Sequence, residues 1–214
     1  MKVLVAGSNG QIGSILVQKL KESKDLSPTA MIRKEDQKTK FEKMDVSTVV
    51  GDLEWDTAKL EKVVTGFDAI VFTAGSGGST GADKTLLIDL DGAVKMIEAA
   101  EAQDVSRFVM VSALGASSRE RWNDALKSYY VAKHFADEAL QRSSLDYTIV
   151  RPGRLLNEPG IGQIKAGSEV ERGSIPREDV ADVLVEVLRQ TGTIGKSFDV
   201  VSGETDISEA IATL

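Results

Sequence analysis

The amino terminus joins an apolar strand, a glycine-spaced turn and an amphipathic helix without interruption. Residues 3–6 are all apolar, as expected for a parallel strand that is covered on both faces. Gly7, Gly10 and Gly13 follow at three-residue spacing, and an apolar pattern of helical period then covers residues 12–20. Glycines in such a turn permit a tight bend, close approach of a pyrophosphate and helix–strand contact, and the helix amino terminus attracts the anion. This order predicts an α/β fold that binds a dinucleotide.

The predicted pyrophosphate loop has the spacing GxxGxxG. We assign to it Gly7, Ser8, Asn9, Gly10, Gln11, Ile12 and Gly13. A glycine triplet alone is weak evidence, and its position between a strand and a helix is what supports the assignment. The alternative is a glycine-rich turn without a ligand.

Length and composition restrict the classes of protein that this chain can belong to. With 214 residues and 42% hydrophobic content, we expect a single domain over residues 1–214, with a small substrate-side region at about 151–214. The absence of cysteine excludes disulfides, thiolate metal sites and cysteine nucleophiles, and the single histidine argues against a zinc site or a serine–histidine triad. A net charge of −7 argues against nucleic-acid binding. Since no leader or membrane-length apolar stretch is visible, we expect a cytoplasmic protein without a membrane partner.

Short apolar runs alternate with amphipathic stretches along the chain. Seven strands are predicted, over Val3–Ala6, Thr29–Ile32, Val46–Val50, Ala69–Thr73, Phe108–Ser112, Tyr147–Val150 and Phe198–Val201. Helices are predicted at about 11–23, 56–64, 82–102, 122–143 and 177–190. The alternation predicts a Rossmann fold, a doubly wound, mainly parallel sheet of about seven strands with helices on both faces.

Two irregular segments follow strands of this predicted sheet. They cover the glycine-rich residues 75–81 and residues 151–175, which contain several prolines and glycines. Because open α/β sheets bind ligands beyond the carboxyl ends of their strands, both segments are candidate site loops.

The end of the second predicted strand indicates which dinucleotide is preferred. NAD-binding chains usually place a carboxylate there, whereas this chain has Arg33 and Lys34. A guanidinium can bind a 2′-phosphate, so we predict NADP(H) over NAD(H). The alternative is that both residues merely begin a solvated charged stretch. After the third strand, Asp52 and Leu53 are candidate adenine contacts, although Asp52 is equally suited to capping the helix near Trp55.

A candidate proton-transfer set follows the fifth predicted strand. That strand delivers Ser112 to the carboxyl edge, and Tyr129 and Lys133 are four residues apart, on one face of a helix. A neighbouring ammonium is expected to lower the pKa of the Tyr129 phenol. Ser112 would anchor the substrate oxygen and Tyr129 would transfer the proton. The alternative is that both helical residues are amphipathic cover; His134 is expected to be a packing or surface residue.

Taken together, these motifs resemble the short-chain dehydrogenase/reductase superfamily, in its small, atypical branch of bacterial NAD(P)H-binding, epimerase-like proteins. The resemblance extends over essentially the whole chain. Its further matching pieces are Ala74-Gly75, Arg151-Pro152-Gly153 and the segment 175–181. It implies that nicotinamide ribose lies near Ala74 and Lys133, and that the Arg151-Pro152-Gly153 turn lines the nicotinamide pocket. Since only about sixty residues follow Pro152, we expect the chain to depart from the nucleotide-sugar branch by lacking its larger carboxyl-terminal substrate domain.

The leading hypothesis is an NADP(H)-dependent reductase of a small carbonyl or related compound, with no metal. One alternative is an NADP(H)-sensing regulator that acts through a protein partner without turnover. Another is a nucleotide-sugar epimerase or dehydratase. The helices at 82–102 and 122–143 are also candidates for a homodimer face.

Overall fold

The computed structural model describes residues 1–77 and 80–214. Gly78 and Ser79, which belong to the predicted glycine-rich segment 75–81, lie outside the described residues.

Seven parallel strands form the centre of the sheet. The strands of the molecule are β1 (Lys2–Ala6), β2 (Ser27–Ile32), β3 (Ser47–Val50), β4 (Ala69–Phe72), β5 (Arg107–Val111), β6 (Asp146–Pro152), β7 (Arg154–Leu156), β8 (Gln163–Gly167), β9 (Ser174–Pro176), β10 (Lys196–Ser202) and β11 (Thr205–Asp206). The parallel strands lie in the order β3-β2-β1-β4-β5-β6-β10. The chain runs outward from β1 through β2 to β3, then returns to the other side of β1 and continues outward from β4, as in a Rossmann fold. The predicted fold class is therefore confirmed.

Helices cover both faces of this sheet. They are α1 (Gln11–Glu22), α2 (Lys38–Glu42), α3 (Thr57–Val64), α4 (Ala82–Lys84), α5 (Gly92–Ala102), α6 (Lys127–Arg142), α7 (Arg177–Arg189) and α8 (Ile207–Ala212). A π-helical segment, Thr85–Asp91, connects α4 to α5. None of the helices in the described part of the chain is both long and apolar enough to span a membrane.

The two faces of the sheet carry separate apolar cores, which explains why the strands read as continuous apolar runs. On one face, α1 and α7 bury residues such as Leu16 and Leu184 against the sheet. On the other face, α3 and α5 bury residues such as Leu60 and Met96. Because each central strand is covered on both sides, its residues do not alternate between apolar and polar.

Two predictions of secondary structure need correction. The helix predicted to begin at residue 122 begins at Lys127, because Asn123 instead accepts a hydrogen bond from the Leu126 amide at 2.9 Å and starts a short 3₁₀ turn. Residues 151–175 are not wholly irregular. They include the last two residues of β6, all of β7 and β8, and the start of β9.

The strands that the sequence does not predict lie after β6, beside the carboxyl end of the parallel sheet. Strand β8 pairs antiparallel with β10, and β7 pairs with β9 in a separate two-stranded sheet. A Cβ atom at Gly153 would lie 2.4 Å from the Gly173 carbonyl oxygen, so this close approach requires glycine. The contact brings the chain after β6 beside the loop before β9, where the second cavity described below is formed.

Candidate cofactor and active site

The glycine turn after β1 has the geometry that its spacing predicts. Gly7 has a φ of +87°, and a Cβ atom there would lie 2.5 Å from the Ala74 amide nitrogen. At Gly13 a Cβ atom would lie 2.2 Å from the Gly7 carbonyl oxygen. Gly7 thus makes the tight bend and Gly13 allows α1 to pack on it, while Gly10 lies at the amino terminus of α1 and faces open space.

A cavity of about 320 Å³ opens over this turn. Among the predicted cofactor residues, those that line it are Gly7, Asn9, Gly10, Arg33, Asp52, Leu53, Ala74 and Gly75. Ser8 is fully buried instead, and its hydroxyl donates to the Met31 carbonyl at 2.6 Å, which fixes the loop to β2. Gln11, Ile12, Gly13 and Lys34 are not part of the lining, so their contact with a cofactor stays a prediction.

A glycine cradle at a helix amino terminus fits a dinucleotide pyrophosphate, since side chains in the turn would occupy the space beside the backbone amides. Arg33 lies at the same cavity, beyond β2, where a ribose 2′ substituent is expected.

Lys40 is a further cation at this site that sequence reasoning missed. Its ammonium donates to the Asn9 side-chain oxygen at 3.1 Å and to the Ser14 hydroxyl. Burial lowers its pKa. The residue lies beyond the charged stretch that follows Arg33, and the short helix α2 returns it to the glycine turn; no local motif indicates that return.

The two alternatives for Asp52 can be separated. The amino-terminal cap of α3 is Asp56, whose carboxylate accepts from the Lys59 amide at 2.9 Å. Asp52 accepts from the Glu54 amide at 3.0 Å and lines the glycine cavity. Asp52 therefore does not cap the helix, and its position leaves the adenine contact as the remaining prediction.

A second cavity, of about 970 Å³, contains the predicted reacting groups. Ser112, Tyr129, Pro152 and Gly153 all line it. The Ser112 hydroxyl oxygen is buried and has no hydrogen-bond partner among the residues that the structure describes. A buried hydroxyl without a partner costs free energy, which favours a role in binding a group that enters the cavity.

Lys133 lies behind Tyr129, as the four-residue spacing predicts. Its ammonium is 5.8 Å from the centre of the Tyr129 ring, and it donates to the Val111 carbonyl at 3.3 Å. The side chain is also 3.3 Å from the carboxylate of Asp89, which is itself 1% exposed. The ammonium therefore belongs to a buried ion pair and is not a free charge beside the phenol.

The expected lowering of the Tyr129 pKa is wrong. Burial raises the pKa of the phenol and outweighs the opposing effect of the Lys133 charge, and the Asp89 carboxylate adds a smaller raising contribution. For Lys133, burial disfavours the ammonium, but Tyr129 and Asp89 outweigh burial and raise its pKa. At neutral pH the site thus contains a protonated phenol and a protonated lysine.

Arg151 and Asp137 form a second buried ion pair in this region. The guanidinium Nε donates to a carboxylate oxygen of Asp137 at 2.8 Å, and Asp137 lies beside Ser112. Burial raises the pKa of Asp137, while Arg151 opposes that change. The side chain of Arg151 is held in this pair, and the residue is not part of the lining of either cavity, so its contact with a cofactor stays a prediction.

His134 is a packing residue, as predicted. Its Nδ1 atom is 2.9 Å from the Ala116 carbonyl oxygen, and its ring packs edge-on against Trp122 at 5.4 Å. Tyr130 stacks on the same tryptophan with parallel rings. These contacts hold the start of α6 and leave Tyr129 as the phenol that is paired with Lys133.

Sequence reasoning missed both carboxylates of the buried pairs. Asp89 is the acidic member of an otherwise apolar helical stripe that includes Ala93 and Met96. Asp137 follows Lys133 by four residues, on the same buried face of α6. An acidic residue on a buried face is itself a signal, because it requires a partner.

Comparison with known proteins identifies the family. Residues 7–191 match the family model described as NAD(P)H-binding. The chain belongs to this NAD(P)H-binding family. It is 51% identical, over the full length of both chains, to the Bacillus subtilis protein named "Uncharacterized sugar epimerase YhfK".

Solved structures show the same relationship. A putative NAD-dependent epimerase/dehydratase from Bacillus halodurans is 43% identical, with complete coverage of both chains and a TM-score of 0.94. The oxidoreductase ylbE from Lactococcus lactis is 36% identical over 100% of this chain and 96% of that one, with a TM-score of 0.89. The resemblance to small, atypical, epimerase-like reductases is thereby confirmed, and the binding of NAD(P)H follows from the family.

Proposed function

We propose that the protein is an NADP(H)-dependent reductase of a small carbonyl or related compound. The observation that carries this proposal is the placement of Ser112 and Tyr129 on one cavity, with Lys133 behind the phenol. The glycine cavity opens over the carboxyl ends of β1, β2 and β4. Support also comes from the oxidoreductase ylbE of Lactococcus lactis, to which this chain is similar over its whole length.

The residues of the second cavity are suited to protonating a substrate oxygen. A reduced nicotinamide supplies a hydride when it is bound. The Ser112 hydroxyl lines this cavity beside Asp137 and is placed to donate a hydrogen bond to the substrate oxygen. Tyr129, with its raised pKa, carries its proton at neutral pH and is placed to give it to that oxygen. These protonation states favour reduction over oxidation, since oxidation requires a phenolate.

The direct test is oxidation of NADPH in the presence of a panel of aldehydes and ketones. We expect Tyr129→Phe to lower kcat by about 10²- to 10⁴-fold, the usual contribution of a positioned acid. Tyr130→Phe is the matched control, because Tyr130 is a second phenol that lines the same cavity but packs on Trp122, whereas Lys133 lies over the Tyr129 ring. Equal rates for wild type and Tyr129→Phe would overturn the assignment of the acid. Tight cofactor binding without turnover on any compound would favour the sensing function instead.

The preference for NADP(H) rests on Arg33, with Lys40 as a second cation at the same turn. A guanidinium that binds a phosphate makes charge-assisted, often bidentate hydrogen bonds. We expect Arg33→Ala to weaken NADPH binding by about tenfold or more, which corresponds to about 1.4 kcal/mol, and to change NADH binding little. Arg142→Ala is the control, because Arg142 is an exposed arginine at the end of α6 and is not part of the lining of this cavity. An unchanged NADPH to NADH affinity ratio in Arg33→Ala would refute the preference.

A further inference from the structure

The second cavity contains positive charge that the proton-transfer set does not use. Three arginines line it, Arg154 from β7, Arg172 from the loop before β9 and Arg177 from the start of α7. No carboxylate is present among the described residues that line this cavity. The charge is therefore concentrated at the place where a substrate would enter.

These three arginines differ from two others close by. Arg121 pairs with the buried carboxylate of Asp199 at 2.9 Å, and Arg151 pairs with Asp137. Over residues 1–77 and 80–214, neither Arg154, Arg172 nor Arg177 forms an ion pair with a carboxylate. The neutralised arginines thus pair with buried carboxylates, and the arginines without a counter-charge line the cavity.

The unneutralised arginines are positioned by neutral groups and by the backbone. Arg177 donates from Nη1 to the Asn157 side-chain oxygen at 2.7 Å. Arg172 donates from Nη2 to the Arg121 carbonyl oxygen. The Arg154 amide donates to the Gly173 carbonyl at 2.9 Å, which brings the first arginine beside the loop of the second. Each guanidinium has five N–H donors, so most of them stay available to a ligand.

The rest of the cavity wall is apolar on one side. Leu114, Leu126 and Leu155 contribute to the lining. A volume of about 970 Å³ exceeds what a carbonyl compound of a few atoms would fill. An elongated ligand with an apolar body, a reactive carbonyl at Ser112 and an anionic group at the arginines matches this distribution.

We propose that the substrate is an anionic carbonyl compound, with a carboxylate or phosphate group that binds Arg154, Arg172 and Arg177 away from the reacting carbon. This inference rests on the proposed reductase function and adds the class of substrate to it. In a protein with a net charge of −7, a cationic cavity also attracts an anion to one place on an otherwise repelling surface. Binding is then weakened by added salt.

The test compares terephthalaldehydic acid with its neutral methyl ester, and with formylphenyl phosphate as a second anion. Each compound is tested for NADPH oxidation and, independently, for binding to the NADP⁺-loaded protein by calorimetry. We expect the wild type to favour the anions over the ester by about tenfold or more in kcat/KM and in affinity, as charge-assisted contacts to several arginines imply. The two anions distinguish a carboxylate site from a phosphate site.

The variants are Arg154→Gln, Arg172→Gln and Arg177→Gln, singly and together. Arg142→Gln is the control, because Arg142 is exposed at the end of α6 that lies away from Tyr129. We expect the combined variant to lose the preference for anions, so that it turns over acid and ester at similar kcat/KM, and the control to keep the wild-type preference. In the combined variant, the affinity for the two anions should also no longer depend on salt concentration.

The outcomes separate this inference from the function on which it rests. Arginine-dependent binding of an anion without any turnover supports the anionic site and refutes the reductase. Equal turnover of acid and ester supports the reductase and overturns the anionic site. The inference is likewise overturned if neither anion binds, or if the combined variant keeps the wild-type preference.

Discussion

The glycines of the first turn allow folding and cofactor binding to be perturbed separately. A Cβ atom at Gly13 would lie 2.2 Å from the Gly7 carbonyl oxygen and 2.9 Å from the Ser8 Cα. Both neighbours are backbone atoms, so no rotamer change relieves the overlap. At Gly10 the nearest atom is the same carbonyl oxygen at 3.2 Å, a distance that a small shift accommodates. We therefore expect Gly13→Ala to destabilise the protein and Gly10→Ala to leave the unliganded protein stable.

The size of the effect at Gly13 follows from two opposing contributions. Overpacking against fixed atoms costs about 3 kcal/mol, the upper part of the usual range. Replacing glycine by alanine within a helix returns about 1 kcal/mol. The expected net loss is about 2 kcal/mol, and for a chain of this length it lowers Tm by about 4 to 8 °C.

The assay is thermal unfolding of the unliganded protein followed by circular dichroism, together with titration of NADPH by fluorescence. Gly192→Ala is the control, since a Cβ atom at Gly192 would meet no other atom of the described residues within 4 Å and its φ is not positive. We expect Gly10→Ala to keep its Tm and to lose NADPH affinity, because its methyl group would occupy the space over the turn. Equal Tm values for Gly13→Ala and Gly192→Ala would refute the packing argument, and full NADPH affinity in Gly10→Ala would refute the placement of the pyrophosphate.

Two further predictions concern titrating groups. Burial and, in addition, the Asp89 carboxylate raise the pKa of Tyr129, so Asp89→Asn should lower that pKa. The alkaline limb of the pH profile of NADPH oxidation should then move to lower pH. An unmoved limb would contradict the coupling between Asp89 and Tyr129. A hydrogen bond from Ser23 and the guanidinium of Arg189 lower the pKa of Asp25 from 3.8 to about 2. A carboxylate whose pKa is lowered by folding stabilises the fold at pH values above its pKa in the unfolded chain, and this contribution is lost as the pH falls toward about 2. The acid-induced fall in Tm should therefore be shallower in Asp25→Asn than in wild type. Identical pH profiles of Tm would count against this pair.

The sequence is sufficient to predict the central sheet, because its strands are buried on both faces and carry an unbroken apolar signal. The strands that it does not predict are short and lie at the edge. β7 reads Arg-Leu-Leu, and β8 reads Gln-Ile-Lys-Ala-Gly, with a partly buried pattern that resembles a loop. The pair of β7 with β9 includes the close approach of Gly153 to Gly173, and β8 pairs with β10, so both pairings are contacts between distant parts of the chain.

The candidate site shows the same division between local and distant information. The helical spacing of Tyr129 and Lys133 is local, and the structure brings them together. The pKa of the phenol is not local, since it depends on burial and on Asp89, which belongs to the π-helical segment before α5. A π-helical segment changes the register of a helix by one residue relative to its neighbours, so the spacing rule of an α-helix does not predict which side chain reaches Lys133.

The pairing of Lys133 with Asp89 bears on the direction of the chemistry. An isolated ammonium beside Tyr129 would favour the phenolate, which accepts a proton and serves oxidation. Here burial raises the pKa of the phenol by more than the ammonium lowers it, and the Asp89 carboxylate opposes the ammonium as well, so the phenol stays protonated. The ammonium then serves to hold the ring and the strand end through the Val111 carbonyl, and the phenol stays a proton donor. A carboxylate on a distant helix thus favours a proton donor, and with it the proposed reduction, although the Tyr129 and Lys133 motif alone is compatible with either direction.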